Sequence, residues 1–408
     1  MFVELHIIQN FPPSNLNRDD IGQPKTTDFG GVRRARISSQ CQKRAIRFHP
    51  AFKAATGVEL SWRTRLMVKG LTDRLSAQPD TTAEQAHPIA VRVAEAYAMK
   101  KPDADQTPTL IYLSEAEFAG LSQRALQAWP AATEADAAIN DAERALKTEG
   151  VSDKEKKALQ KTIKDAKGTF DTLVDDLVKL TKERTGAPDI ALYGRMLADR
   201  PETNIDAACQ VAHAISTHGI GKLEMDYYTA MDDIKQAMKD PGAGFLDVAY
   251  FTSACFYRYM RIDCAQLQKT LDDANLMCRT VEGFMRAAEA AIPTGKINSH
   301  AQHVRPSFML AVVRSDGSDG WNLANAFEKP VRAKSDQGII EQSVKCLEDR
   351  FEHLREFYGD DTIKAASVAL PDGSVTTQEL GAYFSQRTGN MKQWVETVST
   401  ALACKQEG

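Results

Sequence analysis

Between Phe52 and Gly186 the sequence reads as nearly continuous amphipathic helix, yet stretches with the two-residue period of β-strands bracket it. Val3, Leu5 and Ile7 alternate with Glu4 and His6, the pattern of a half-buried strand. Ala254 to Ile262 (ACFYRYMRI) and Ser307 to Val313 read as two more strands. A helix is expected over Ala265 to Ala291, and a final helical third beyond Ile339. The helical block is therefore an insertion into another fold, and the expected class is α+β.

At 408 residues, with 43% hydrophobic and 26% charged residues, the chain has ample material for a core and is expected to fold as one elaborated domain or two. The net charge of −4 does not by itself point to nucleic acid. It hides an asymmetry, because the first fifty residues carry Arg18, Lys25, Arg33, Arg34, Arg36, Lys43, Arg44 and Arg47 against Glu4, Asp19, Asp20 and Asp28. A local basic patch binds phosphate whatever the total charge. The seven cysteines are scattered, odd in number and without a CxxC pair, so reduced thiols are expected rather than disulfides or a zinc site. No signal peptide and no membrane-length apolar run is read, which makes a cytoplasmic location without membrane partners the expectation.

Asn10 to Gly31 is rich in Pro and Gly and reads as a long loop, a feature more often functional than idle. Ser38 and Ser39 then cap a helix, QCQKRAIRF, whose apolar stripe is read as Cys41, Ala45 and Phe48. Guanidinium forks, free backbone N–H groups and a positive helix end all attract phosphate oxygens. Gly30 and Gly31 let the backbone approach such a ligand closely.

Other candidates are weaker. His213, His218, Glu224 and Asp226 suggest metal or acid–base chemistry, but the histidine spacing does not put two ligands on one helix face. HGIGKL and PTGKI lack the hydroxyl residue that a phosphate-binding loop needs after its lysine. Phe256, Tyr257 and Tyr259 could stack on bases, although half of an alternating strand must be core. Lys154, Lys157, Lys161 and Lys164 share one helix face, which is ordinarily just a solvated face.

Several strings occur together: LNRDD (Leu16 to Asp20), FGGVRRARISSQ (Phe29 to Gln40), YGRM (Tyr193 to Met196), CQVAHAISTH (Cys209 to His218), DYYTAMDD (Asp226 to Asp233), FYRY (Phe256 to Tyr259) and NAFEKPV (Asn325 to Val331). In this order they resemble the CasC family, the backbone subunit of the type I-E CRISPR Cascade.

The resemblance implies a right-hand shape: an RRM-like (ferredoxin-like) palm, a helical finger lobe and a β-hairpin thumb. Mapped onto this chain, 1–50 is the first part of the palm, 51–188 the finger insertion, 189–250 the thumb region, and 251–408 the rest of the palm with a helical extension. It further implies a non-catalytic subunit without cofactor or metal, whose partners are guide RNA (crRNA), further copies of itself in a head-to-tail filament, other Cascade subunits, and the target DNA strand paired to the guide. Each thumb would kink the guide at regular intervals.

Guide contacts are expected from Arg18, Lys25, Arg33, Arg34, Arg36, Ser38, Ser39, Gln40, Lys43, Arg44 and Arg47. Met196 is expected as an apolar wedge between bases, and His213 and His218 beside the thumb. The lysine stripe from Lys154 to Lys164 would meet target DNA. Reversing the charges of Arg33, Arg34 and Arg36 should abolish RNA retention without unfolding the chain. The competing functions are an RNA-processing nuclease built on His213, His218 and Glu224, and a general single-strand-binding protein.

Overall fold

The computed structural model describes residues 1–79, 81–228, 247–317, 320–373, 375 and 387–404. In chain order the elements begin with β1 (Phe2–Ser14), β2 (Thr26–Phe29), β3 (Val32–Ile37), α1 (Ser39–Arg47) and α2 (Pro50–Thr56). Next come β4 (Trp62–Thr64), α3 (Met67–Leu75), α4 (Ala83–Ala98), β5 (Ile111–Leu113), α5 (Glu115–Gln127), α6 (Trp129–Leu146), α7 (Asp153–Leu180) and α8 (Pro188–Tyr193). The chain continues through β6 (Cys209–Val211), β7 (Ala214–Ser216), β8 (Glu224–Tyr228), β9 (Asp247–Asp263), α9 (Cys264–Leu271), α10 (Ala274–Ala290) and α11 (Ile297–His300). It closes with β10 (Phe308–Arg314), α12 (Ile339–Tyr358), β11 (Ile363–Ala369) and α13 (Met391–Ala401). This is a mixed helix and antiparallel-sheet protein.

The chain divides into two compact units. The first comprises Met1–Gly57, Cys209–Ala265 and Ala274–Gly408, and the second Val58–Ala208 with Gln266–Asp273. Residues 189–208, read from sequence with the thumb, thus belong with the helical unit.

The first unit is built on a sheet of order β11-β10-β1-β9-β7-β3-β2, with β6 and β8 also paired to β9. β1 lies inside it, antiparallel to both β9 and β10, with His6 opposite Tyr259 on one side and Leu310 on the other. Both faces of β1 are buried, so the half-buried strand expected from its alternation is corrected. The polar alternates are accommodated by partners. Glu4 accepts from Arg314 Nε at 2.6 Å, from the Tyr259 hydroxyl at 2.7 Å and from the Trp321 N–H at 3.0 Å. Paired in this way, a buried carboxylate is tolerated where an unpaired one would not be.

On that face Ile8, Phe308, Leu310 and Val312 pack with Val344, Leu347 and Phe351 of α12. Phe11, Ala35, Ile37, Ala214, Ala254 and Phe256 form a second cluster of the unit. Trp394 of α13 is fully buried and donates from Nε1 to the Ser367 carbonyl of β11. Cys278 and Cys404 form a disulfide, which corrects the expectation that all thiols are reduced.

In the second unit α3 to α7 share one core, including Leu71, Val93, Phe118, Leu121, Ile139, Phe170 and Val174. Three of these helices begin with reciprocal capping boxes, Thr82 with Gln85, Ser114 with Glu117 and Ser152 with Glu155. The Arg195–Glu117 pair, 2.7 Å apart and buried, ties the loop after α8 to the start of α5. No described helix is long and apolar enough to cross a membrane.

Candidate nucleic-acid interface

The basic N-terminal segment is a hairpin, not the long loop expected over Asn10 to Gly31. β1 runs on to Ser14, and β2 and β3 pair from Thr26↔Ala35 to Phe29↔Val32. Gly30 and Gly31 close the hairpin with φ of +59° and +70°, the two positive values that a type I′ turn demands. Gly30 is constrained twice, since a side chain there would overlap the backbone carbonyl of Glu328.

Arg34 explains why the hairpin sits where it does. Its guanidinium donates to the carbonyls of Phe29, Ser216, Thr217, Phe327 and Glu328, at 2.7 to 3.3 Å. The side chain is wholly buried. Arg34 is therefore removed from the expected guide contacts, because its donors are spent on the main chain. The charge reversal expected to spare folding includes this residue, so it would also remove a buried anchor of the hairpin.

Arg33, next to Arg34 on the strand, points the other way, as alternation requires. Arg33 is exposed and donates to the Thr26 hydroxyl at 3.0 and 3.2 Å. Arg36 is half-buried, donating to the Thr26 carbonyl and, at 3.0 Å, to Nδ1 of His213. His213 must be neutral to accept that bond. Its pKa is lowered by burial, and further by the charges of Arg36 and Lys25. Lys25, Arg36 and His213 thus form one cluster, while His213 itself adds no charge.

α1 follows directly. Ser38 is its N-cap, accepting from the Cys41 N–H at 3.3 Å, and its own N–H donates to Asn17 Oδ1 at 2.9 Å. Ser38 is buried, so its hydroxyl serves the helix and not a ligand. The inward face of α1 is Gln42 and Ile46 rather than the stripe read from Cys41, Ala45 and Phe48. Gln42 donates to the Ala212 carbonyl at 2.8 Å and accepts from Arg258 at 3.3 Å. Gln40 and Arg44 are exposed, and Ser39, Lys43 and Arg47 are intermediate. Arg44 and Arg47 flank the ring of Phe48, their guanidinium carbons 4.6 and 4.8 Å from its centroid.

Arg18, also exposed, borders a cavity of about 690 Å³ with Asn15, Ile21, Tyr250, Phe251, Lys296 and His300 among its walls. Asn15 fixes the loop by donating to the carbonyls of Gly22 and Tyr250 at 3.0 and 2.8 Å. Gly295 passes so close to the Asn15 and Leu16 carbonyls that no side chain fits there. Lys296 and His300 were missed from sequence, since PTGKI was weighed only as a nucleotide-binding loop. The pairing of glycine and lysine was the available signal.

Asp226, another candidate, lines the same cavity as Arg18. His218 donates from Nδ1 to the Gly219 carbonyl at 3.0 Å and accepts at Nε2 from the Cys255 N–H at 3.2 Å. Both ring nitrogens are engaged, so His218 is corrected from a ligand or acid–base group to a structural residue. Tyr257 and Tyr259 are buried, their hydroxyls bonded within the core, and Phe256 packs there too, so none is a platform for bases. Met196, in the second unit, is 84% exposed. Lys154, Lys157, Lys161 and Lys164 all lie exposed on α7 of that unit. Among the described residues no group of three His, Cys, Asp or Glu could hold a metal ion.

The structure is similar to a chain of a "CRISPR RNA-guided surveillance complex, pre-nicking", with a TM-score of 0.78 and 28% identity over 98% of this chain and 100% of that one. A chain of another "CRISPR RNA-guided surveillance complex" shares the fold at a TM-score of 0.69 and 23% identity, again over 98% and 100%. A search of curated proteins finds no match. The family model described as "CT1975-like protein" matches residues 3–397. The chain therefore belongs to the CT1975-like (Cas_CT1975) family.

Proposed function

We propose that this protein is a non-catalytic, crRNA-holding backbone subunit of a CRISPR surveillance complex, of the type I-E Cascade kind. The observation that carries the reading is the end-to-end likeness to a subunit of such a complex, at 28% identity. The site chemistry agrees with it. Lys25, Arg33, Arg36, Gln40, Lys43, Arg44 and Arg47 lie on one hairpin and the helix that follows it, and Arg18 and Lys296 border a single cavity. Such an array holds a phosphodiester backbone without reading sequence, leaving recognition to base pairing.

In this reading the first unit serves as an RRM-like palm and the second as the finger lobe. Copies polymerise head to tail along the guide, kink it at intervals and present it to target DNA in the cytoplasm. Met196 is the wedge between bases, and the α7 lysines meet the target. Cleavage falls to another protein. His218, one of the residues of the nuclease alternative, has both ring nitrogens engaged in hydrogen bonds, which counts against its acting as a base.

The test is charge reversal that spares the anchor. Arg33→Glu with Arg36→Glu should abolish RNA retention in the assembled complex while the far-ultraviolet circular dichroism stays that of the parent. Full RNA retention by the folded double variant would overturn the assignment of this surface.

A further inference from the structure

The buried arginines of this protein fall into two classes. Among the described residues six are buried, and four of them hold a carboxylate: Arg92 with Asp136 at 2.8 Å, Arg195 with Glu117 at 2.7 Å, Arg200 with Asp175 at 2.9 Å and Arg314 with Glu4 at 2.6 Å. A buried ion ordinarily needs such a partner, because the hydration it loses is costly. Arg34 and Arg258 form no such pair. Arg34 donates only to main-chain carbonyls. Arg258, 4% exposed, donates from Nη1 to Gln9 Oε1 at 2.7 Å and from Nε to Gln42 Oε1 at 3.3 Å. The acids that attract them, Glu328 and Glu289, act at longer range, and Glu289 is itself held by Arg305 at 2.8 and 2.9 Å. Burial lowers both pKa values, that of Arg258 to about 10, which leaves it charged at neutral pH.

The two exceptions share a place in the fold. Arg34 lies in β3, and Arg258 of β9 reaches Gln42 on the inward face of α1, the helix that carries Lys43, Arg44 and Arg47. We propose that Arg258, together with Arg34, supplies a built-in positive field to the guide-binding surface: the protein leaves these charges uncompensated, and the phosphates of the bound guide complete them. This rests on the guide-binding reading and extends it to residues that touch no RNA. Opposite unit charges about 12 Å apart, roughly the width of a helix, shift an equilibrium about tenfold at an effective dielectric of about 20. The field runs through protein rather than solvent, so salt screens it little.

The experiment measures Kd of the full-length chain for a mixed-sequence single-stranded oligoribonucleotide across a salt series, with two variants that cancel the charge of Arg258 in opposite ways. Arg258→Gln removes it. Gln9→Glu keeps the arginine and sets a carboxylate against its Nη1, where an amide oxygen now accepts at 2.7 Å. Both should raise Kd about tenfold, and the factor should hold as salt rises. An arginine that served only as a strut would give the opposite result for Gln9→Glu, because that change strengthens its attachment. Parental Kd in either variant, folded by circular dichroism, would overturn the proposal. So would a loss that vanishes at high salt. Should Arg258→Gln fail to fold, Gln9→Glu decides alone. The guide-binding reading fails separately, if the parent chain binds no RNA or Arg33→Glu with Arg36→Glu leaves binding intact.

Discussion

Adjacent arginines in β3 should behave in opposite ways when neutralised. Arg34→Met keeps most of the buried stem but removes all five donations to the carbonyls of Phe29, Ser216, Thr217, Phe327 and Glu328. A hydrogen bond from a charged donor contributes about 1.5–3 kcal/mol. The five share one rigid fork and are not independent, so the loss should be about 3–5 kcal/mol, the range for breaking a buried charged network. That is a large part of the ~5–15 kcal/mol that holds a typical domain together. Arg33→Gln removes an exposed group and should change stability by no more than about 0.5 kcal/mol. Urea denaturation of the full chain, with the m-value checked for constancy, reads both. An Arg34→Met loss below about 1 kcal/mol, or Arg33→Gln as the more damaging change, would refute the anchor assignment.

Acid should weaken the fold through His6, whose pKa burial lowers from 6.5 to about 4. The unfolded chain takes up a proton near pH 6.5 that the folded chain refuses until about pH 4, so stability is full above 6.5 and falls by about 3 kcal/mol between those values. His6→Gln should flatten that part of a stability-against-pH profile, and an unchanged profile would contradict it. Gly30→Ala should cost about 1–3 kcal/mol and weaken RNA binding, whereas Gly31→Ala, with open space around it, should cost less; thermal melts that rank them the other way would count against the turn geometry. Reducing the Cys278–Cys404 bridge, which spans 126 residues, should lower stability by about 2–4 kcal/mol, and an unaltered melt in reductant would show that the bridge contributes nothing.

Period and punctuation carried much of the fold. The β1 alternation, the serine cap of α1 and the β9 and β10 strands are local patterns, and each stands where the residues placed it. Tertiary context decided the rest. Alternation could not show that Glu4 is buried, because its compensation comes from Arg314 and Tyr259, far away in sequence. The helix expected over Ala265 to Ala291 is broken at Asp272, where φ is +53°, and no glycine or proline marks that break. β11 falls in a stretch read as helical, and its Ser367, Ala366 and Ala365 gave no strand signal strong enough to notice.

At the interface, charge located the segment but not the role of each residue. Arg33 and Arg34 are indistinguishable as letters, yet one faces water and the other holds three segments together. Gln42 looked like a polar surface residue and is instead the buried side of α1. Phe48 looked like core and is half exposed. Only the packing of neighbouring elements separates these cases. Of the DYYTAMDD string, Asp226 to Asp233, residues 229–233 lie outside the described residues.

The measurement that bears most directly on the guide-holding function is to purify the full chain with the products of its neighbouring genes and to sequence whatever nucleic acid comes with it. The account predicts a uniform short RNA with repeat-derived ends, lost when Arg33 and Arg36 are both reversed. Heterogeneous RNA, or none, would contradict it and leave the fold without the function proposed for it.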